Sequence, residues 1–348
     1  LARTLVTGAT GFIGQRLVER LVARGDDVAC VVRSSSQTVA LERLGVRLVR
    51  APLEEATGLL QAYRAAFDGN PVEVVHHLAG RVHGRTLAEF LAVNERGTAA
   101  VCEAATALPT PPVVIVVSSL AAVGPSAPGM PHDETTTCRP ISLYGQSKLA
   151  AERAARRWAG KAPISIVRPP LVFGPGDRDG LMLFKAIRAL GIHFVPQLQG
   201  LPLSLIYADD LVAALLAVAE RGERCRDSVA ADPQSAPNDS RGVYFAADPV
   251  DSSYAQIGRM AAAALERRVW VLCRRKYPLL PAALAGDFYG WFTGKPVVLG
   301  SDKLREASAS GWLCRSEKIV SMLGWAPAAP AAQRYRETAQ WYREAGWL

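Results

Sequence analysis

The chain's 348 residues can bury a sizeable core in one large α/β domain or two smaller ones, and 49% hydrophobic residues exclude disorder. The formal charge of +8 comes from arginines scattered through helical segments, which argues against nucleic acid and suits anionic substrates or cofactors. Six cysteines without a C-x-x-C pair read as reduced thiols, no apolar run reaches the ~18 residues of a membrane span and no signal peptide opens the chain, so the expected setting is the cytoplasm.

Thr4 to Val6 is a short apolar run that leads directly into Gly8, Gly11 and Gly14, with Thr10, Phe12 and Ile13 between them. Leu17, Val18, Leu21 and Val22 then recur at helical spacing. Strand, glycine turn and helix in this order predict a dinucleotide site. Glycine permits positive φ and close backbone approach, and the helix aims its free N–H groups and positive dipole end at the pyrophosphate.

Val28 to Val32 is a second strand, apolar without alternation, as a parallel strand covered on both faces requires. It ends at Arg33-Ser34-Ser35-Ser36, where the adenosine ribose of a dinucleotide would lie. With no acid there, Arg33 favours a 2′-phosphate and so NADP over NAD; a solvated loop arginine, or stacking on adenine, are the alternatives. Val46 to Val49 is a third strand, followed by Ala51-Pro52-Leu53. Val72 to Leu78 is a fourth, and the small residues of Leu78-Ala79-Gly80 let a cofactor lie across its end. A helix with Asn94 and Thr98 follows, then a fifth strand from Pro112 to Val117 ending in Ser118-Ser119. This alternation predicts a doubly wound parallel sheet.

After a Pro/Gly-rich loop, Tyr144 to Lys148 opens a helix, and Ile164 to Val167 is a sixth strand. The rhythm then loosens. Leu211 to Val218 reads as a helix, 221–241 as a mobile surface insertion, Val243 to Ala246 as a short strand and Tyr254 to Leu265 as another helix. An aromatic, Pro-rich stretch spans 274–292, and either lines a lid over a hydrophobic ligand, touches a membrane surface beside Arg274, Arg275 and Lys276, or packs its own core.

Tyr144 and Lys148, four apart, share a helix face. A nearby ammonium and a positively charged nicotinamide would lower the phenol's pKa, and Ser119 at the adjacent strand end would bond the same substrate oxygen. The trio predicts general acid–base catalysis beside a hydride carrier. The histidines have no metal-ligand spacing, and no metal is expected.

The motifs Thr7-Gly8-Ala9-Thr10-Gly11-Phe12-Ile13-Gly14, His77-Leu78-Ala79-Gly80, Asn94 with Gly97-Thr98, Ser118-Ser119, Tyr144-x-x-x-Lys148 and Arg168-Pro169 through Gly174-Pro175-Gly176 occur in order. As a set they resemble the extended short-chain dehydrogenases/reductases, of the NAD-dependent epimerase/dehydratase group. The resemblance implies a Rossmann fold with Tyr144 as acid or base, Lys148 on the nicotinamide ribose and Ser119 on the substrate oxygen. With Arg33, the expected cofactor contacts are Gly8, Thr10, Gly11, Phe12, Ile13, Gly14, Leu53, Leu78, Ala79, Gly80, Asn94, Tyr144, Lys148, Pro170 and Val172.

The departures narrow the branch. Leu171 stands where nucleotide-sugar members carry a diphosphate-binding Asn, and Leu120-Ala121 where sugar dehydratases carry an Asp-Glu pair. Pro52 replaces an Asp that often reaches adenine, leaving at most Leu53 backbone groups for that contact. What remains is similar to 3β-hydroxysteroid dehydrogenases and dihydroflavonol-type reductases. The expectation is an NADP-preferring reductase for an apolar, ring-type substrate, with 1–170 as the dinucleotide domain, returning segments near 200–250, and 171–348 as the substrate lobe. A nucleotide-sugar epimerase or dehydratase, and a non-catalytic NADPH-binding regulator, are the rivals. A peripheral membrane contact through 274–292 and a homodimer stay open as partners.

Overall fold

The computed structural model describes residues 1–195, 197, 200–226, 239–273, 281 and 301–348. The stretch 274–292, apart from residue 281, and most of the expected insertion at 221–241 lie outside them. Six strands come first: β1 (Arg3–Thr7), β2 (Asp27–Val32), β3 (Arg47–Arg50), β4 (Val74–His77), β5 (Val113–Val117) and β6 (Ile164–Arg168). Between them run α1 (Phe12–Ala23), α2 (Val39–Arg43), α3 (Ala56–Ala65), α4 (Leu87–Thr106) and α5 (Leu143–Arg156). Then follow β7 (Leu171–Phe173), α6 (Arg178–Leu190), β8 (Ile192–Val195), β9 (Pro202–Leu203), β10 (Leu205–Tyr207) and α7 (Ala208–Arg221). The chain continues with β11 (Val243–Phe245), β12 (Ser252–Ser253), α8 (Tyr254–Ala264), β13 (Trp270–Cys273), α9 (Ser301–Ala307), α10 (Glu317–Leu323) and α11 (Ala331–Glu344).

Seven strands form one parallel sheet in the order β11-β6-β5-β4-β1-β2-β3. The order reverses between β1 and β4, and that crevice at the carboxyl edge is where open α/β sheets bind ligands. The seventh strand, β11, is supplied by the returning segment rather than by the first 170 residues. Both faces are covered, as the unbroken apolar strands demand. On one, Leu59, Tyr63, Val101, Ala105 and Ala155 pack from α3, α4 and α5; on the other, Leu17, Leu21, Val212 and Leu215 pack from α1 and α7.

A second core sits in the C-terminal lobe, where Leu181, Phe184 and Ile187 of α6 meet Ile257 and Ala261 of α8 and Tyr335, Ala339 and Tyr342 of α11. Helix α6 was not read from the sequence, although its buried residues keep a spacing of three.

Candidate active site

The glycine turn is shaped by what it touches. Gly8 has φ +73°, and a Cβ there would lie 2.5 Å from the Ala79 amide nitrogen, so the ends of β1 and β4 close on each other. A Cβ on Gly14 would run into the Gly8 carbonyl. Helix α1 starts right after the turn with no side-chain cap and no acid in its first turn, leaving its N–H groups directed at the crevice. The crevice opens into a cleft of about 990 Å³ lined by Gly8, Thr10 to Gly14, Leu78, Gly80, Val117 and Leu171 to Gly176. These features fit a dinucleotide.

Beside that cleft, β5 hands the chain to Ser119, whose Oγ accepts the Ala121 N–H at 3.1 Å and starts a short 3-10 turn, Leu120–Ala122. Helix α5 packs closely on the turn, since a Cβ on Gly145 would collide with the Ala121 carbonyl. This brings the Tyr144 phenol beside the Ser119 hydroxyl, close enough for the two to interact. The start of α5 is fixed twice: Ser142 Oγ accepts the Gly145 N–H at 3.0 Å, and the Asp302 carboxylate accepts the Leu143 N–H at 3.1 and 3.2 Å.

One turn below Tyr144, buried Lys148 donates from Nζ to the Val117 carbonyl at 2.6 Å, and a Cβ on Gly80 would lie 3.7 Å from that nitrogen. Burial pulls its pKa down to about 8, against the nearby Glu152 carboxylate. Glu152, on the same face again, takes a bidentate bond from Arg168 at 2.9 and 2.6 Å and the Ser118 hydroxyl at 2.5 Å. The face Tyr144-Lys148-Glu152 is therefore seated on a buried ion pair.

The chain by itself shifts the Tyr144 pKa upward, whereas the expected lowering counted a bound nicotinamide. Burial pushes the phenol up to about 12, the Ser119 hydroxyl opposes this, and the Glu306 carboxylate adds to it. The expectation counted a nicotinamide charge and an ammonium; the chain alone supplies mainly an apolar enclosure. Lys303 stands over the Tyr144 ring at 5.7 Å and pairs with Glu306 at 2.9 Å. Nothing in the linear sequence marks these two α9 residues as neighbours of Tyr144.

Behind the crevice runs a buried chain of hydrogen bonds. The Ala79 N–H donates to Thr7 Oγ1 at 3.3 Å, and the Thr7 hydroxyl bonds His77 Nδ1 at 2.7 Å. On the other side His77 Nε2 meets Thr98 Oγ1 at 2.9 Å, and the Thr98 hydroxyl donates to the Asn94 carbonyl at 2.6 Å. Burial pulls His77 down to about 3, so the ring is neutral, and the direction of the chain puts its proton on Nε2.

Other residues expected at the cofactor have the following surroundings. The Asn94 amide is engaged by the protein, accepting the Arg81 N–H at 2.7 Å and donating to the Arg81 carbonyl at 3.0 Å and Ser147 Oγ at 2.8 Å. Leu53 buries its side chain in the core against Gly97, and Pro170 is buried after β6. Arg33 is exposed at the end of β2, where its N–H bonds Ser36 Oγ at 3.1 Å. Arg50, which sequence reasoning missed, donates to the Arg33 and Ser34 carbonyls at 3.4 and 3.2 Å. Its place at the end of the adjoining strand was the available signal. Trp341 and Trp347 also line the cleft.

Residues 4–229 match the NAD dependent epimerase/dehydratase family. The chain is 31% identical over 350 residues to a ceramide reductase of Caulobacter vibrioides, covering 99% of this chain and 95% of that one. It is 27% identical to a 4-hydroxy-2-methyl-3-oxo-4-farnesyl-3,4-dihydroquinoline-1-oxide ketoreductase of Stigmatella aurantiaca, covering 96% and 99%. Its fold is similar to that of the UDP-glucose 4-epimerase of Thermus thermophilus in complex with NAD, with a TM-score of 0.74, 20% identity and 99% of each chain covered. With the glycine turn, the sheet and this kinship in agreement, the chain belongs to the NAD dependent epimerase/dehydratase family, as an NAD(P)-dependent oxidoreductase of the extended short-chain type.

Proposed function

We propose that the protein is an NADP-preferring reductase interconverting a ketone and a secondary alcohol on an apolar substrate. The observation that carries this reading is the Tyr144 phenol set beside the Ser119 hydroxyl, with Lys148 one turn below on the same helix face. Gly8 to Gly14 and the start of α1 would hold the pyrophosphate, with Leu78, Ala79, Gly80 and Val172 along the strand ends. When bound, the nicotinamide supplies or accepts the hydride. In reduction the Tyr144 hydroxyl donates its proton to the carbonyl oxygen, and Ser119 holds that oxygen with a second hydrogen bond. Lys148 holds the ribose and stabilises the phenolate left behind.

An apolar substrate is supported by Leu171, 43% exposed and lining the cleft where sugar-nucleotide members carry a polar contact. Leu120, buried, and Ala121 offer no group to move a second proton. The two relatives matched along nearly their whole length are named for reductions of a ceramide and of a farnesyl-bearing quinoline, which favours a lipid-like ketone beside the ring-type one. NADP is supported by Arg33 and Arg50, two arginines at the ends of adjoining strands.

NADPH oxidation with a long-chain 3-ketoamide, a steroid ketone and UDP-glucose tests the reading. Tyr144→Phe should abolish ketone reduction and leave NADPH affinity unchanged. Arg33→Ala and Arg50→Ala should each weaken NADPH by roughly 10- to 100-fold while sparing NADH. Conversion of UDP-glucose alone would replace this reading with the sugar-nucleotide one, and cofactor binding without any turnover would make the protein a sensor.

A further inference from the structure

The outer face of the C-terminal lobe carries an arrangement that the reductase chemistry does not use. Helix α6 ends at Gly191, whose left-handed backbone (φ +66°) lets β8 begin at once. β8 runs parallel to β13 with Ile192 opposite Trp270, so the two side chains leave the ribbon on one face. That face is bare: Trp270 is 75% exposed, Leu190 70% and Ile192 42%. Met182, 63% exposed, continues it two turns back along α6. The other face is fixed: His193 is buried, its Nε2–H donates to the Tyr254 carbonyl at 2.9 Å, and its ring packs against Gly258 of α8. The ribbon is held rigidly while its apolar side meets water.

Lys185 and Arg188 lie on α6 and Arg267 and Arg268 just ahead of β13, all exposed, and none pairs with a carboxylate among the described residues. Residues 182–192 contain no acid, and 266–272 contain only Glu266. Asp179, the acid of the first turn of α6, lies at the opposite end, roughly 16 Å along the axis from Leu190.

We propose that this face docks on an anionic lipid bilayer, with Trp270, Leu190 and Ile192 entering the headgroup–acyl boundary and the four cations meeting lipid phosphates. A tryptophan amid exposed aliphatic side chains suits that boundary, and unpaired Lys and Arg suit its negative potential. A second copy of the chain is the poorer occupant, because a symmetric contact would press the same four cations together. The inference rests on exposure, charge and register, and not on the reductase reading.

The full chain is sedimented with vesicles of equimolar phosphatidylglycerol and phosphatidylcholine, and with vesicles of phosphatidylcholine alone. The anionic vesicles should recover about tenfold more protein than the neutral ones, and salt near 0.5 M should release it. Leu190→Ser with Trp270→Ala should weaken partition by about tenfold, and Arg267→Glu with Arg268→Glu by about as much. All four side chains are exposed, so the melting temperature should hold; if the apolar pair lowers it, the charge pair decides. Equal recovery on both vesicle types, or unchanged partition of the charge pair, overturns the proposal. So does a dimer, seen by light scattering, that Trp270→Ala dissociates while vesicles recover no protein.

Discussion

Tyr144 titrates under two opposing neighbours, the Ser119 hydroxyl, which favours its phenolate, and the Glu306 carboxylate, which disfavours it. One Glu306 oxygen meets Lys303, and the other, Oε1, is buried without a hydrogen-bond partner. Glu306→Gln removes a negative charge near the phenol, so Tyr144 should titrate lower. In alcohol oxidation the phenolate accepts the proton. The rise of kcat/KM with pH should therefore move to lower pH, by up to about one unit. A profile superimposable on the wild type would show that Glu306 does not act on the phenol. Tyr144 and Lys148 were legible because a helix puts positions four apart on one face. Glu306 was not, because only the folded chain lays α9 over the start of α5.

At the scale of elements, α5 holds its face through charge buried on both sides. Glu152 and Arg168 are almost fully enclosed, and the pair lowers the acid's pKa and raises the base's. Glu152→Ala would strand the guanidinium in the core, and urea unfolding should report a loss of about 3–5 kcal/mol. Adding Arg168→Met should recover much of that loss, since the cost lies in the unpaired charge. Helix α6 carries an opposite liability. Asp177 caps it, accepting the Asp179 N–H at 3.0 Å, but burial raises the carboxyl from 3.8 to about 6. The folded protein therefore binds the extra proton between those values, and that stabilising contribution is lost as pH rises through about 6. Asn caps as well as Asp and carries no charge. Asp177→Asn should thus raise stability by roughly 1–2 kcal/mol at pH 8 and leave it unchanged near pH 4, as thermal melts at the two pH values would check.

For the whole molecule, the two cores decide which groups solvent can reach. Cys30, Cys102, Cys225 and Cys314 are buried, and burial pushes their thiols up to about 12, 12, 11 and 12. Cys138 and Cys273 are half-exposed. Titration of the native chain with a chromogenic disulfide should find at most these two reacting quickly, and the other four only as the protein unfolds. Four fast thiols would show that one of the cores opens on the experimental timescale.

The sequence by itself determined the glycine turn, the parallel sheet and the Tyr144–Lys148 face. Each is set by neighbours in the chain: unbroken apolar runs, a helical period, glycines spaced for a turn. Tertiary structure alone decided the rest. β11 joins β6 through backbone hydrogen bonds that any extended segment could make, so three apolar residues did not announce themselves as the seventh strand. The Asn94 amide closes on Arg81 and Ser147, partners fixed only when α4 and α5 pack together. The Tyr144 pKa went the same way, because desolvation depends on what encloses a group, and enclosure is a property of the packed chain.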